Sequence, residues 1–265
     1  MSKARELANL RGTPTDGNIL LASTAGDALT AGSGTCNFFA GLNAGGAATT
    51  GDDNIAIGQL ALTAATIGLK NIAIGQSAMS GVTTGQADAN IGIGVTALQG
   101  SASTTGNYNI ALGHTTLVNL TTGGNNVAIG TNAADELLTG SQNIAMGLNS
   151  LGAATIGLKN IAIGSTAMSG VTTGQADNNI AIGESALVGT SATTGNLNIA
   201  IGCQSADALT TGASNVSIGA CAFSTATTGA CNIAIGQSTL GGGVVTGADN
   251  IAIGRDVADA LTCGA

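Results

Sequence analysis

Side chains able to carry chemistry are few and scattered along this chain. The one histidine, His114, follows Asn109-Ile110-Ala111-Leu112-Gly113 in a turn with no acid near it in sequence, so a nucleophile–histidine–acid arrangement has no evident members. Five cysteines (Cys36, Cys203, Cys221, Cys231 and Cys263) form no Cys-x-x-Cys pair, and their odd number and uneven spread fit neither a disulfide framework nor a zinc site. They are expected to be small thiols, buried or half-buried. The 43 glycines follow no phosphate-cradling spacing and read as turn residues. Asp53, Asp88, Asp177 and Asp249 precede a recurring asparagine by one or two residues, without a glycine-rich calcium repeat, and are expected to serve turns. No catalytic, cofactor-binding, metal-binding or receptor-binding residue is assigned, and enzyme activity is not expected.

The elements that would have to position any site are themselves one repeat. Its core is Asn-Ile-Ala-Ile-Gly, and with the asparagine as position one it starts at Asn54, Asn71, Asn90, Asn109, Asn126, Asn143, Asn160, Asn179, Asn198, Asn215, Asn232 and Asn250, with degenerate copies at Asn18 and Asn37. The spacings are 17 to 19 residues, so each unit reads as one coil. A longer period lies over the first: residues 64–94 match residues 153–183 at all but four of 31 positions, at an offset of 89. Five coils were duplicated as a block.

Isoleucines at positions two and four, a small residue between them and a closing glycine give a short strand ended by a turn, while a glycine in every coil and β-branched neighbours disfavour helix. The Thr-Thr stretch about nine residues later is expected to be a second extended segment. The Ala-Leu pair at positions eight and nine (Ala61-Leu62, Ala97-Leu98, Ala186-Leu187) should turn its leucine into the core. The fold class is therefore all-β, a parallel β-solenoid or β-roll of 17–19-residue coils, with leading asparagines stacked so that their amides hydrogen-bond up a ladder. At ~4.8 Å per coil, thirteen or fourteen coils would span roughly 60–65 Å. Residues 1–17 form a separate amino-terminal segment with a short helix over about residues 2–10 ending near Gly12 and Pro14, and residues 18–265 form the solenoid.

Position three is small throughout, as in Ala56, Ala73, Gly92, Ala162 and Ser217. Both faces of the strand are nearly free of polar groups, and strands buried on both faces read that way. Position three is therefore expected to be covered by a neighbouring copy of the chain in a cyclic oligomer, leaving variable positions six, seven, ten and eleven to face outward.

The net charge of −8, from fourteen acids and six bases, leaves no basic footprint for nucleic acid. Polar residues interrupt every apolar stretch before it reaches the roughly 18 residues needed to span a bilayer, so membrane insertion is not expected. Met1–Arg11 mixes charges and lacks the apolar run of a secretory signal, so export by that route is not expected.

The Asn-x-Ala-Ile-Gly-x-x-Ala-Leu pattern with its Thr-Thr-Gly turn resembles the head repeats of trimeric autotransporter adhesins and the longer repeats of phage tail fibres and large algal-virus surface proteins. The resemblance covers residues 18–265. It implies a homotrimer, and a structural fibre or appendage of a phage or virus particle that displays its turns for host attachment. It also implies residence in the virion, docking to other virion proteins through the amino-terminal segment, and a host receptor or glycan as partner. The 17–19-residue period departs from the shorter autotransporter one. An adhesin head fragment and an ice-binding solenoid are the alternatives. The latter rests on Thr121-Thr122, Thr172-Thr173 and Thr193-Thr194, and is weakened by the breaks at Thr66-Ile67, Leu138-Thr139 and Val245-Thr246.

Overall fold

Ile-Ala-Ile between an asparagine and a glycine gives each coil one three-residue strand, with no second one among the described residues. The structure, a computed structural model, describes all residues except 1–9, 12–15, 30–32, 82–86, 101–104, 171–175, 190–193 and 259–265. The chain is an all-β parallel β-solenoid organised in two compact units, Met1–Asn125 and Asn126–Ala265. The first unit holds β1 (Leu10–Arg11), β2 (Ile19–Leu21), β3 (Phe38–Ala40), β4 (Ile55–Ile57), β5 (Ile72–Ile74), β6 (Ile91–Ile93) and β7 (Ile110–Leu112). The second holds β8 (Val127–Ile129), β9 (Ile144–Met146), β10 (Ile161–Ile163), β11 (Ile180–Ile182), β12 (Ile199–Ile201), β13 (Val216–Ile218), β14 (Ile233–Ile235) and β15 (Ile251–Ile253). Within each unit consecutive strands pair in parallel with like positions opposed, as in Ile55↔Ile72, Ala56↔Ala73 and Ile57↔Ile74, or Ala162↔Ala181.

β1 is the exception, pairing antiparallel with β2 through Leu10↔Leu21 and Arg11↔Leu20. The expected helix over residues 2–10 lies outside the described residues except at Leu10, where the backbone is strand. The first coil has an unpaired edge, and its backbone donors and acceptors are better satisfied by an added strand than left open.

The expected second strand at Thr-Thr is absent among the described residues. Thr49 N–H (3.0 Å) and Thr50 N–H (3.2 Å) both donate to the carbonyl of Thr66, as Thr210 (2.9 Å) and Thr211 (3.2 Å) do to Thr227. Two donors on one acceptor make a bend stacked on a bend, and no alternating ladder extends from it.

Corners are tight. Position five needs glycine on two counts: φ is +127° at Gly58 and +134° at Gly183, and an added Cβ would lie 2.7 Å and 2.5 Å from the glycine carbonyl oxygen of the next coil. Non-glycine residues also take left-handed φ at positions seven and nine and just before the asparagine, as at Leu60 (60°), Leu62 (51°) and Lys70 (60°). Each costs about 1–2 kcal/mol, offset by coil-to-coil bonds such as Leu60 N–H to Leu42 O (2.9 Å) and Leu62 N–H to Ala78 O (2.9 Å).

The asparagine ladder forms as expected. Asn54 donates its N–H (2.9 Å) and its Nδ2 (3.1 Å) to Asn37 Oδ1, and the same Nδ2 donates to Gly68 O (2.8 Å) at the end of its own coil. Asn160 repeats this with Asn143 Oδ1 (2.9 Å) and Ala176 O (2.7 Å). These amides are buried and satisfied on both atoms, so each fastens a coil shut and joins it to the next.

Candidate functional site

The strand faces are oriented oppositely to the sequence-based expectation. Position three is interior to its own coil: Ala56, Ala73, Ala162 and Ala181 are all 0% exposed without a second chain. The close approach that demands a small residue is intramolecular. A Cβ built on Gly92 would lie 3.0 Å from Met79 Cγ, 3.1 Å from Ala97 O and 3.5 Å from Leu98 Cβ. Position three thus packs against the buried Ala-Leu corner, which does enter the core as expected, with Leu62 and Leu98 at 1% exposure. The outer face belongs to positions two and four, and Ile57, Ile93, Ile182 and Ile218 remain 36–38% exposed. An apolar ridge therefore runs along the sheet of each unit.

Corner positions six and seven face outward, as in Gln59 and Gln204, whereas ten and eleven range from exposed, as in Glu136, to half-buried, as in Asp207. Cys203 and Cys221 lie at positions six and seven and Cys36 and Cys231 just before the leading asparagine; Cys36, Cys203 and Cys231 are exposed, contrary to the expected burial, while Cys221 is half-buried as expected, its thiol 3.7 Å from Gln204 Oε1. A coil this narrow has inward room only for positions three, eight, nine and twelve, so thiols placed elsewhere face solvent. Cys263 lies outside the described residues. His114 is exposed, its Nδ1 3.3 Å from Thr115 Oγ1. Asp88 and Asp177 serve turns: their Oδ1 atoms accept the N–H of Leu69 (2.9 Å) and Leu158 (2.8 Å), and their own N–H groups donate to Asn107 and Asn196 Oδ1, each at 2.7 Å. Asp53 and Asp249 are exposed in the same turns. Among the described residues no three His, Cys, Asp or Glu side chains gather, and no helix is long and apolar enough to cross a membrane.

One concavity stands out on the second unit. A groove of ≈ 280 Å³ is lined by Asp135, Glu136, Asn149, Gly152, Ala153, Thr166 and Ser169. Its side chains come from the same outward corners of three successive coils, held by Glu136 N–H to Gly152 O (3.2 Å), Asn149 N–H to Thr131 O (3.1 Å) and Thr166 N–H to Leu148 O (2.8 Å). Burial raises the Asp135 carboxyl above its ordinary value, partly opposed by backbone N–H donors and reinforced by neighbouring Glu136. Thr166 Oγ1 is engaged with Ser165 O (2.7 Å) and Ser185 Oγ (3.0 Å). None of these residues was singled out by sequence reasoning, because one acidic dipeptide and a glycine 16 residues on carry no motif. Their juxtaposition follows from the 17-residue coil.

A further feature among the described residues is a column of exposed threonines at the bends: Thr50, Thr105 and Thr122 in the first unit, and Thr139, Thr194, Thr211, Thr228 and Thr246 in the second. Ile67 and Ile156 interrupt it. The longer coils stay in register there, Thr105 N–H donating to Thr121 O at 2.8 Å. Breaks such as Leu138-Thr139 do not move the threonine out of the column.

No protein-family model matches the chain, and no curated protein or solved structure matches it. What the surface offers chemically is apolar association along the isoleucine ridge and hydrogen-bonding recognition at the corners.

Proposed function

We propose that this chain is a structural fibre or appendage component of a phage or virus particle, a homotrimer that displays its corners for attachment to a host surface. The observation that carries the reading is the isoleucine ridge. A fully buried isoleucine is worth about 1.5–3 kcal/mol, so Ile57, Ile93, Ile182 and Ile218, each 36–38% exposed, leave about 0.5–1 kcal/mol of burial apiece unrealised. Repeated coil after coil, that favours lateral self-association through positions two and four, the face opposite to the position-three stripe. Closed rings remove such a ridge where open aggregates do not. The nearly uncharged corners suit recognition of a receptor or glycan by shape and hydrogen bonds, and the amino-terminal segment is the docking element toward other virion proteins.

Light scattering on the purified chain tests the assembly, and proteomics of purified particles with adsorption competition tests the attachment role. A monomer, or particles lacking the chain, overturns the reading. The threonine column supports ice binding as a second reading, though its residues sit on bends rather than on a flat strand. Inhibition of ice recrystallisation by a chain that does not compete for adsorption would favour it.

A further inference from the structure

The duplicated architecture contains its own control for the groove at Asp135. At the offset of 89, Gly46, Ala47, Leu60 and Thr63 of the first unit stand where the second has Asp135, Glu136, Asn149 and Gly152. The backbone is the same at both places. Ala47 N–H donates to Thr63 O (2.8 Å) as Glu136 N–H does to Gly152 O (3.2 Å), and Leu60 N–H to Leu42 O (2.9 Å) as Asn149 N–H does to Thr131 O (3.1 Å). Leu60 and Asn149 share the left-handed conformation, with φ of 60° and 51°. What differs is side-chain chemistry. In the first unit the Thr63 side chain is present and ties its hydroxyl to Asn43 O (3.1 Å), whereas Gly152 carries none, and its bare Cα is bordered by Asn149 O and Asp135 Oδ1, which a Cβ would meet at 3.1 and 3.4 Å. The walls also change from glycine, alanine and leucine to two carboxyls and an amide.

Two of these walls are not occupied in holding the fold. Glu136 is exposed, and the side chains of Glu136 and Asn149 make no hydrogen bond to another residue among those described. At ≈ 280 Å³ the groove lies just under the ~300–1,000 Å³ of ordinary small-molecule pockets, room for one sugar ring. Carboxylate oxygens accept from hydroxyls, an amide both donates and accepts, and the Gly152–Ala153 floor is bare enough for the C–H face of a ring. No basic residue lines the groove, so an acidic sugar would be repelled. A calcium ion would need six to eight oxygen ligands, and no third acid is at hand.

We propose that this groove is a saccharide subsite that takes one neutral hexose unit of a surface glycan, with Glu136 accepting from vicinal hydroxyls, Asn149 bonding a ring substituent and Asp135 closing the inner wall. It rests on the attachment reading for its biological use and not for its chemistry.

The test titrates the purified full chain with free glucose, galactose, mannose and N-acetylglucosamine, read by saturation-transfer NMR, with calcium chloride alone in a parallel arm. A first-unit transplant (Asp135→Gly, Glu136→Ala, Asn149→Leu, Gly152→Thr) installs residues that the same backbone already carries in the other unit. Exposed Glu136→Gln serves as a single change if the transplant misfolds. The expected result is saturable transfer to at least one hexose at millimolar concentration, weakened about tenfold or more in the transplant and severalfold in Glu136→Gln. Absence of transfer to every hexose, unchanged affinity in both variants, or saturable calcium binding without hexose binding overturns the subsite. Hexose binding by a chain that neither occurs in particles nor adsorbs to cells would sink the attachment reading and leave the subsite standing.

Discussion

Residues 64–94 in the first unit and 153–183 in the second are nearly one sequence written twice, and their four differences separate what the coil requires from what it tolerates. Three lie at corners: Gln76 against Ser165, Ser77 against Thr166, and Ala89 against Asn178. The corner bonds there come from the main chain, Ser77 N–H to Gln59 O (2.9 Å) and Thr166 N–H to Leu148 O (2.8 Å), so the side chain is free to drift. The fourth, Gly92 against Ala181, is inside the core. Neither the asparagines, nor the position-five glycines, nor the isoleucines of the ridge differ. The coil thus holds its fastening and the outer face of its strand, tolerates only an exchange between small residues on the inner face, and spends the rest of its variation on the surface that would meet other molecules.

The sharpest way to break that symmetry is to load the two faces of one strand with the same charge. Ala162→Lys puts an ammonium into a core with no counter-charge, costing about several kcal/mol, and in a stacked repeat the damage spreads to neighbouring coils. Ala73→Lys should behave alike. Loss of the cooperative transition in urea, followed by far-ultraviolet circular dichroism, is the expected outcome. Ile163→Lys and Ile74→Lys, one residue on, should leave the fold intact and abolish self-association in light scattering. If Ala162→Lys folds and Ile163→Lys does not, the assignment of the faces is wrong.

Next in size is the ladder. Asn160→Ala removes the acceptor of Asn179 N–H (2.9 Å) and the donor to Ala176 O (2.7 Å), leaving two buried backbone groups unpaired. At about 1–3 kcal/mol for each orphaned group, a loss of about 2–6 kcal/mol in urea titration is expected, with a similar loss for Asn71→Ala. Asn178→Ala, a corner exchange already present as Ala89, should change stability by less than about 0.5 kcal/mol. Equal effects at Asn160 and Asn178 would refute the ladder's role.

How much of this was legible depends on what a repeat displays. Coil boundaries, the strand, the asparagine ladder and the inward Ala-Leu corner follow from spacing and residue type, because a constraint repeated a dozen times stands out from noise. Strand orientation does not follow. Ile-Ala-Ile is apolar on both sides, so alternation alone is silent about which face is inside. Volume decides, since Ala162 fits against the opposite wall of a narrow coil where isoleucine would not. The outward cysteines follow from the same geometry. The left-handed corners at Leu60 and Lys70 carry no glycine or asparagine to announce them, and the groove at Asp135 exists only once coils are stacked.

A pH series sharpens the contrast between the units. Burial raises the Asp207 and Asp135 carboxyls, and one Asp207 oxygen is buried without a partner, while the first unit has Val118 and Gly46 at the matching places. The coils flanking Asp207 present Val188, Gly189, Ser224 and Thr225 at the nearest corners, none of them charged. With a folded pKa above the unfolded one, the folded state binds more protons in the window between them. Stability from this source therefore grows as pH falls from neutral through the raised value and is lost as pH rises again. Asp207→Asn should flatten that part of the urea midpoint between pH 7 and 4, and an unchanged slope would contradict the burial.

The smallest effect is the most telling about packing. Gly92 sits in a strand with an ordinary backbone, and a methyl there would meet Met79 Cγ at 3.0 Å and Ala97 O at 3.1 Å, close enough that something must give. The second segment shows that it does: Met168, the counterpart of Met79, stays 0% exposed beside Ala181, with the strand still paired through Ala181↔Ala200. Methionine is unbranched and shifts readily, and alanine lowers the entropy of the unfolded chain. Gly92→Ala should therefore stabilise the first unit by about 0.4–1 kcal/mol, seen as a higher urea midpoint at unchanged slope. The contact with Ala97 O is to main chain and yields less readily than the methionine, so the gain should sit toward the lower end of that range. A loss of stability in Gly92→Ala would show that the two segments, alike in sequence and register, are packed differently inside.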